Sequence, residues 1–136
     1  MRESLSDCQT SMYLIEWKET SARVRGPSDV EAELDRLDAT FKKPTAVVVH
    51  HPSGNSMSIV LGLSGRSMLN FAFKDLEPPY FTSRGDGDPD ELISYDFGGS
   101  LSELPASFFI DKNLARVAMS EFLKTGERAS IEWALD

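Results

Sequence analysis

Thr45-Ala46-Val47-Val48-Val49-His50 is the most β-like run in the chain, and Pro52-Ser53-Gly54-Asn55 and Ser56-Met57-Ser58-Ile59-Val60-Leu61-Gly62-Leu63 follow it. Three consecutive valines predict a central strand covered on both faces. The Pro-Ser-Gly-Asn step is turn chemistry. The next run alternates, with Met57, Ile59 and Leu61 inward and Ser56 and Ser58 outward. Ser64-Gly65 turns again into Ser67–Lys74, where Met68, Asn70 and Ala72 oppose Leu69, Phe71 and Phe73. Three such runs joined by short turns predict an antiparallel meander.

Working outward, Met12–Trp17 reads as a half-buried strand with bulk on both faces. Gly26-Pro27-Ser28-Asp29-Val30-Glu31 opens a helix, with Ser28 and Glu31 spaced as a capping box. Val30, Leu34, Leu37 and Phe41 then form one apolar stripe, and Pro44 ends it. Asp75–Asp90 reads as irregular, since Pro78-Pro79, Gly85, Gly87 and Pro89 oppose a helix or a central strand. Leu92–Phe97 is a short strand ended by Gly98-Gly99. Asp111 caps a second helix over Lys112–Thr125, with Leu114, Val117, Ala118 and Phe122 inward and Gly126 at the left-handed stop. Arg128–Ala134 closes as a strand with Ile131 and Trp133 on one face. Met1–Ser11 reads as a disordered leader and 12–136 as a single domain without internal repeats. The predicted class is α+β. A mainly antiparallel sheet of about six strands carries two helices, near Ser28–Thr40 and Lys112–Thr125, on one face.

The chain has 136 residues, 40% hydrophobic and 26% charged, which is the composition of an ordinary globular domain. No apolar run approaches the roughly 20 residues that span a bilayer, and the N-terminus lacks a secretory apolar centre. Cys8 is the only cysteine, so neither a disulfide framework nor a cysteine zinc site is expected, and the expected compartment is the cytoplasm.

The formal charge of −8 is concentrated in one place. Gly85–Asp111 holds seven carboxylates (Asp86, Asp88, Asp90, Glu91, Asp96, Glu103 and Asp111) and no Lys or Arg. Such a field repels nucleic acid and anionic membranes and steers basic protein partners. Tyr80-Phe81 and Tyr95-Asp96-Phe97 place rings beside these charges, and exposed aromatics in a charged field have the composition of a protein-binding hot spot. The candidate partner-binding residues are therefore Tyr80, Phe81, Asp86, Asp88, Asp90, Glu91, Tyr95, Asp96 and Phe97.

Other chemistry finds little support. His50 and His51 are adjacent on a strand end, so they point to opposite faces and do not chelate one ion. A calcium loop starting at Asp86 would need glycine at Glu91 and a bidentate glutamate at Phe97. Walker, Gly-x-Gly-x-x-Gly and Gly-x-Ser-x-Gly patterns are absent from the sequence. We expect no catalytic residue, no metal and no cofactor.

The ordered motifs resemble the Imm1 family of bacterial immunity proteins. The resemblance runs from Met12-Tyr13-Leu14-Ile15-Glu16-Trp17 through Pro27-Ser28-Asp29-Val30-Glu31, Ala46-Val47-Val48-Val49 and Ser58-Ile59-Val60-Leu61-Gly62. It continues through Pro78-Pro79-Tyr80-Phe81-Thr82-Ser83-Arg84-Gly85-Asp86 and ends with Glu121-Phe122-Leu123-Lys124-Thr125-Gly126-Glu127-Arg128 leading to Glu132-Trp133. It departs from that pattern at Ala129, where a proline is expected, and the leader lies outside it. The resemblance implies a stoichiometric inhibitor of a cognate toxin domain, of a kind found beside nucleic-acid deaminase toxins, and the free form is expected to be a monomer. The alternative class is a non-catalytic ligand-binding or adaptor α+β domain, whose function would sit in a pocket.

Overall fold

The computed structural model describes residues 12–75 and 79–135, so the proposed leader Met1–Ser11 lies outside the described residues. Strand β1 (Tyr13–Trp17) turns through Lys18, at φ +51°, into β2 (Thr20–Val24), which the sequence reading had missed. Helix α1 (Pro27–Thr40) leads to β3 (Thr45–His50) and β4 (Ser56–Leu61). Short strands β5 (Arg66–Ser67), β6 (Leu69–Ala72) and β7 (Phe81–Ser83) follow, the last inside the stretch expected to be irregular. The hairpin β8 (Leu92–Phe97) and β9 (Ser100–Pro105), a 3-10 turn at Ala106–Phe108 and β10 (Ile110–Asp111) precede α2 (Lys112–Thr125) and β11 (Trp133–Leu135).

The class is the expected α+β. The sheet is larger than six strands: it runs β11-β7-β6-β4-β3-β1-β2, antiparallel throughout, and β8 with β9 joins off this path. Among the described residues, the parallel contact is one bridge between Thr45 and Asp96. It falls on the same edge of β3 as β1, just beyond the end of β1.

The two faces of the sheet are covered differently. Val47, Val49, Met57, Ile59 and Phe71 meet Val30, Leu34 and Leu37 of α1 and Ala118, Met119 and Phe122 of α2 in the main core. On the opposite face the β8–β9 hairpin and the 3-10 turn bury a smaller cluster of Ala46, Val60, Met68, Ile93, Tyr95 and Phe109. The Val47–Val49 run is therefore central, as predicted, and every residue of β4 is buried. Ser56 and Ser58 do not face solvent, because β3 and β6 flank their short side chains on both sides.

Both helices lie where the pattern placed them, with two corrections. The capping box does not form. Gly26 is the N-cap and makes no side-chain cap bond, and Glu31 instead binds Arg116 of α2 at 3.0 Å and the Ser120 hydroxyl. In α2 the buried residues are Ala115, Ala118, Met119, Phe122 and Leu123, while Leu114 and Val117 are exposed. Arg116 reaches Asp35 at 2.7 Å as well as Glu31, and these bonds fix the rotation of α2 about its axis. The small alanines Ala115 and Ala118 then face the main core. Asp111 caps α2 by accepting from the amides of Asn113 and Leu114, and Gly126 stops it at φ +76°. Of Arg128–Ala134 only the end becomes strand, in β11, and Ile131 and Trp133 both pack against the main core.

Candidate partner-binding surface

The acidic segment begins as the β7–β8 connection, an ordered turn attached to the 3-10 segment. The Gly85 amide donates to the Ser107 carbonyl at 2.7 Å, and the Ala106 amide donates to the Glu91 carbonyl at 2.7 Å. Between these anchors the Asp88 carboxylate accepts the Asp90 amide at 2.9 Å, and the Asp88 carbonyl accepts the Glu91 amide at 3.2 Å. Asp86, Asp88, Asp90 and Glu91 are all exposed. Arg66 stands 3.9 Å from Glu91, a distance at which an exposed pair contributes little. Among the described residues, no group of three or more His, Cys, Asp and Glu is placed to hold a metal.

The segment continues into β8 and β9. Gly98 and Gly99 adopt φ +61° and +92°, which permits the two-residue turn that favours tight hairpins. Pleating sends Ile93 and Tyr95 into the smaller core. The outer face carries Leu92, Ser94 and Asp96 on β8, opposite Pro105, Glu103 and Leu101 on β9. Leu92 is 58% exposed, Leu101 77%, and Phe97 at the tip 43%. Phe97 also lines a groove of about 340 Å³ with Trp17, Ala46 and Val48. The Asp96 carboxylate accepts the Gly99 amide at 2.9 Å, and the Glu103 carboxylate accepts the Ser94 hydroxyl at 3.1 Å. The hairpin face is thus apolar and anionic, without a cation in its own sequence.

Of the nine residues proposed from sequence, Asp86, Asp88, Asp90, Glu91, Asp96 and Phe97 lie along this loop and hairpin. Tyr95 is a correction. It is buried against Phe109, with ring centroids 6.4 Å apart, and burial raises its phenol pKa above the ordinary value. Tyr80, 36% exposed, precedes β7, and Phe81 belongs to the helix side of the sheet, away from the hairpin. Phe81 packs on the helix side with Phe71 and Phe73, under the Arg128 guanidinium at 3.8 Å from its ring centre. The sequence reading missed Leu92, Leu101 and Glu103. Their signal was the Gly98-Gly99 pair, which implies a return strand over Ser100–Pro105 with the same alternation as β8.

A second groove, about 590 Å³, lies between the acidic loop and α2 and is lined by Asp86, Arg84, Arg66, Ile131 and Leu114. Elsewhere His50 bonds Glu16 at 2.7 Å, while His51 sits edge-on between the rings of Tyr13 and Phe122. The two histidines face opposite sides of the strand, as pleating requires. No described helix is long and apolar enough to cross a membrane.

The family model described as Immunity protein Imm1 matches residues 18–135, and the chain belongs to this family. No curated protein matches it.

Proposed function

We propose that this member of the Imm1 family binds and neutralises a cognate, nucleic-acid-targeting toxin domain of the deaminase type by occluding its active site or substrate groove. The observation that carries this reading is the loop and hairpin of residues 85–105. It places three large exposed apolar side chains among six carboxylates and contains no Lys or Arg. A toxin that acts on DNA or RNA presents a basic groove to the phosphate backbone. An anionic surface of this kind competes for that groove. The charges accelerate capture and select the partner, while buried apolar contacts slow release. The binding residues in this reading are Asp86, Asp88, Asp90, Glu91, Asp96 and Phe97, with Leu92, Leu101 and Glu103 added. Phe81, on the helix side of the sheet, lies apart from them. The chain acts stoichiometrically, as a free monomer in the cytoplasm, without a catalytic residue or cofactor.

The test is co-expression with the toxin domain encoded by the adjoining gene, read as cell viability and as a one-to-one complex on purification. Survival only when the chain is present supports the reading. Equal killing with and without it, or rescue at strongly substoichiometric levels, overturns it.

A further inference from the structure

Among the described residues, β9 is bonded along one side only. Its strand partner there is β8, in an unbroken register of six pairs from Phe97–Ser100 to Leu92–Pro105. In a two-residue hairpin the closing pair exchanges hydrogen bonds, and bonded pairs then alternate with non-bonded ones. The bonded pairs are thus Phe97–Ser100, Tyr95–Ser102 and Ile93–Leu104. Leu101 and Glu103 direct their amide and carbonyl groups away from β8, and no described residue bonds them there. Pro105, the next outward position, has no amide hydrogen to present.

Natural sheets blunt such edges with charged side chains, lysine above all, with bulges or with proline on the edge. β9 has Glu103 as its one charge and Pro105 at its end, so the stretch before Pro105 has no lysine, bulge or proline to turn away a basic strand. The free edge borders the apolar and anionic outer face described above.

We infer that the β9 edge is a strand-addition site for an extended, basic segment of the toxin domain, an inference that rests on the function proposed above. The incoming strand bonds the backbone of Leu101 and Glu103. Its alternate side chains face the hairpin's outer surface, lysine or arginine toward Asp96 and Glu103 and apolar residues toward Leu101 and Leu92. A second copy of this chain fits the edge poorly, because it would bring the same carboxylates together.

Proline at positions 101 and 103 removes the outward amides and leaves every β8 hydrogen bond intact. The experiment compares the L101P/E103P double variant with L101T/E103T, which loses the same side chains but keeps the amides. The probe is the catalytically inactivated toxin domain from the adjoining gene. Binding is measured by calorimetry, folding by circular dichroism, and amide protection by hydrogen exchange in the wild-type complex. The expected result is that the threonine variant binds more weakly than wild type and the proline variant at least a further tenfold more weakly. The amides of Leu101 and Glu103 become protected in the wild-type complex, a readout that holds even if the proline variant fails to fold. Equal binding by the two folded variants, or unchanged exchange at both amides, overturns strand addition while the immunity reading stands. A wild-type dimer in light scattering that the prolines abolish assigns the edge to a second copy and overturns it as well. Wild-type protein that neither binds nor neutralises the toxin domain overturns the immunity reading and the inference together.

Discussion

A β-carbon on Gly85 would stand 2.1 Å from the carbonyl oxygen of Phe109, so the acidic loop lies against the backbone beneath it with no room for a side chain. Gly87 repeats the relationship with the Ala106 carbonyl, at 2.3 Å. Neither glycine is needed for an unusual φ, since neither appears among those with positive values. The requirement is steric, and the obstacle is backbone that cannot rotate aside. Gly87→Ala is expected to lift the loop and destabilise the fold by about 1–3 kcal/mol, the usual range for overpacking. Denaturant unfolding measures this. An unchanged midpoint would show that the loop is not held against the 3-10 turn.

Leu34 on α1 and Phe122 on α2 are both fully buried in the main core, where the helices pack on the sheet. Leu34→Ala is expected to cost about 2–5 kcal/mol and Phe122→Ala about 3–5 kcal/mol, combining lost transfer energy with the cavity left behind. Equilibrium unfolding in urea is the check. At these magnitudes either variant removes a large share of a small domain's stability.

Changing Asp86, Asp88, Asp90 and Glu91 together to Asn or Gln is expected to slow association with the toxin domain strongly and to flatten its dependence on salt. Each single change should have little effect, because exposed pairs contribute about 0–1 kcal/mol apiece. The attraction is collective and is screened over about 8 Å at physiological ionic strength. Stopped-flow association rates across a salt series measure it. A folded variant that captures toxin at the wild-type rate would reduce the loop to solvated surface.

His51 gives a pH dependence of known sign. Burial between Tyr13 and Phe122 lowers its pKa below the ordinary value, against the opposing influence of the Leu123 carbonyl and the Glu127 charge. Its Nδ1 also accepts the Ser53 amide at 2.9 Å, which the neutral ring alone can do. The unfolded chain therefore binds a proton more readily than the folded one between the lowered pKa and the ordinary histidine value of about 6.5. The neutral ring's contribution is fully present above about pH 6.5 and is lost as the pH falls below it. Wild type should lose more stability between pH 7.5 and 5.5 than His51→Gln, in paired denaturant titrations. Equal losses would remove His51 from the account.

Local chemistry made much of the fold legible. Thr45–His50 forms a strand over the residues expected, since three valines favour extended backbone whatever their neighbours. The Asp111 cap and the Gly126 stop bound α2 as read, because each acts through bonds within one or two turns. Elements that rely on distant partners were not legible. β7 has three residues and exists because β6 and β11 bond it from both sides. The rotation of α2 is set by Glu31 and Asp35, more than eighty residues from Arg116. Helical period alone left the stripe containing Leu114 and Val117 as credible as the one that is buried.

The candidate surface divides in the same way. The concentration of charge between Gly85 and Asp111, the end of a strand at Gly98-Gly99 and the resemblance to the family were legible in the chain itself. Charge and turn conformation are properties of adjacent residues. Which rings face outward, and that the strand ending at Gly98-Gly99 returns as β9, depends on long-range packing: Tyr95 is buried by Phe109, and Phe81 lies on the helix side beneath Arg128. The same packing leaves β9, among the described residues, with one bonded edge, and leaves Leu101 in solvent. The physical reason is that exposure depends on what packs against a residue, and those contacts join segments far apart in the chain.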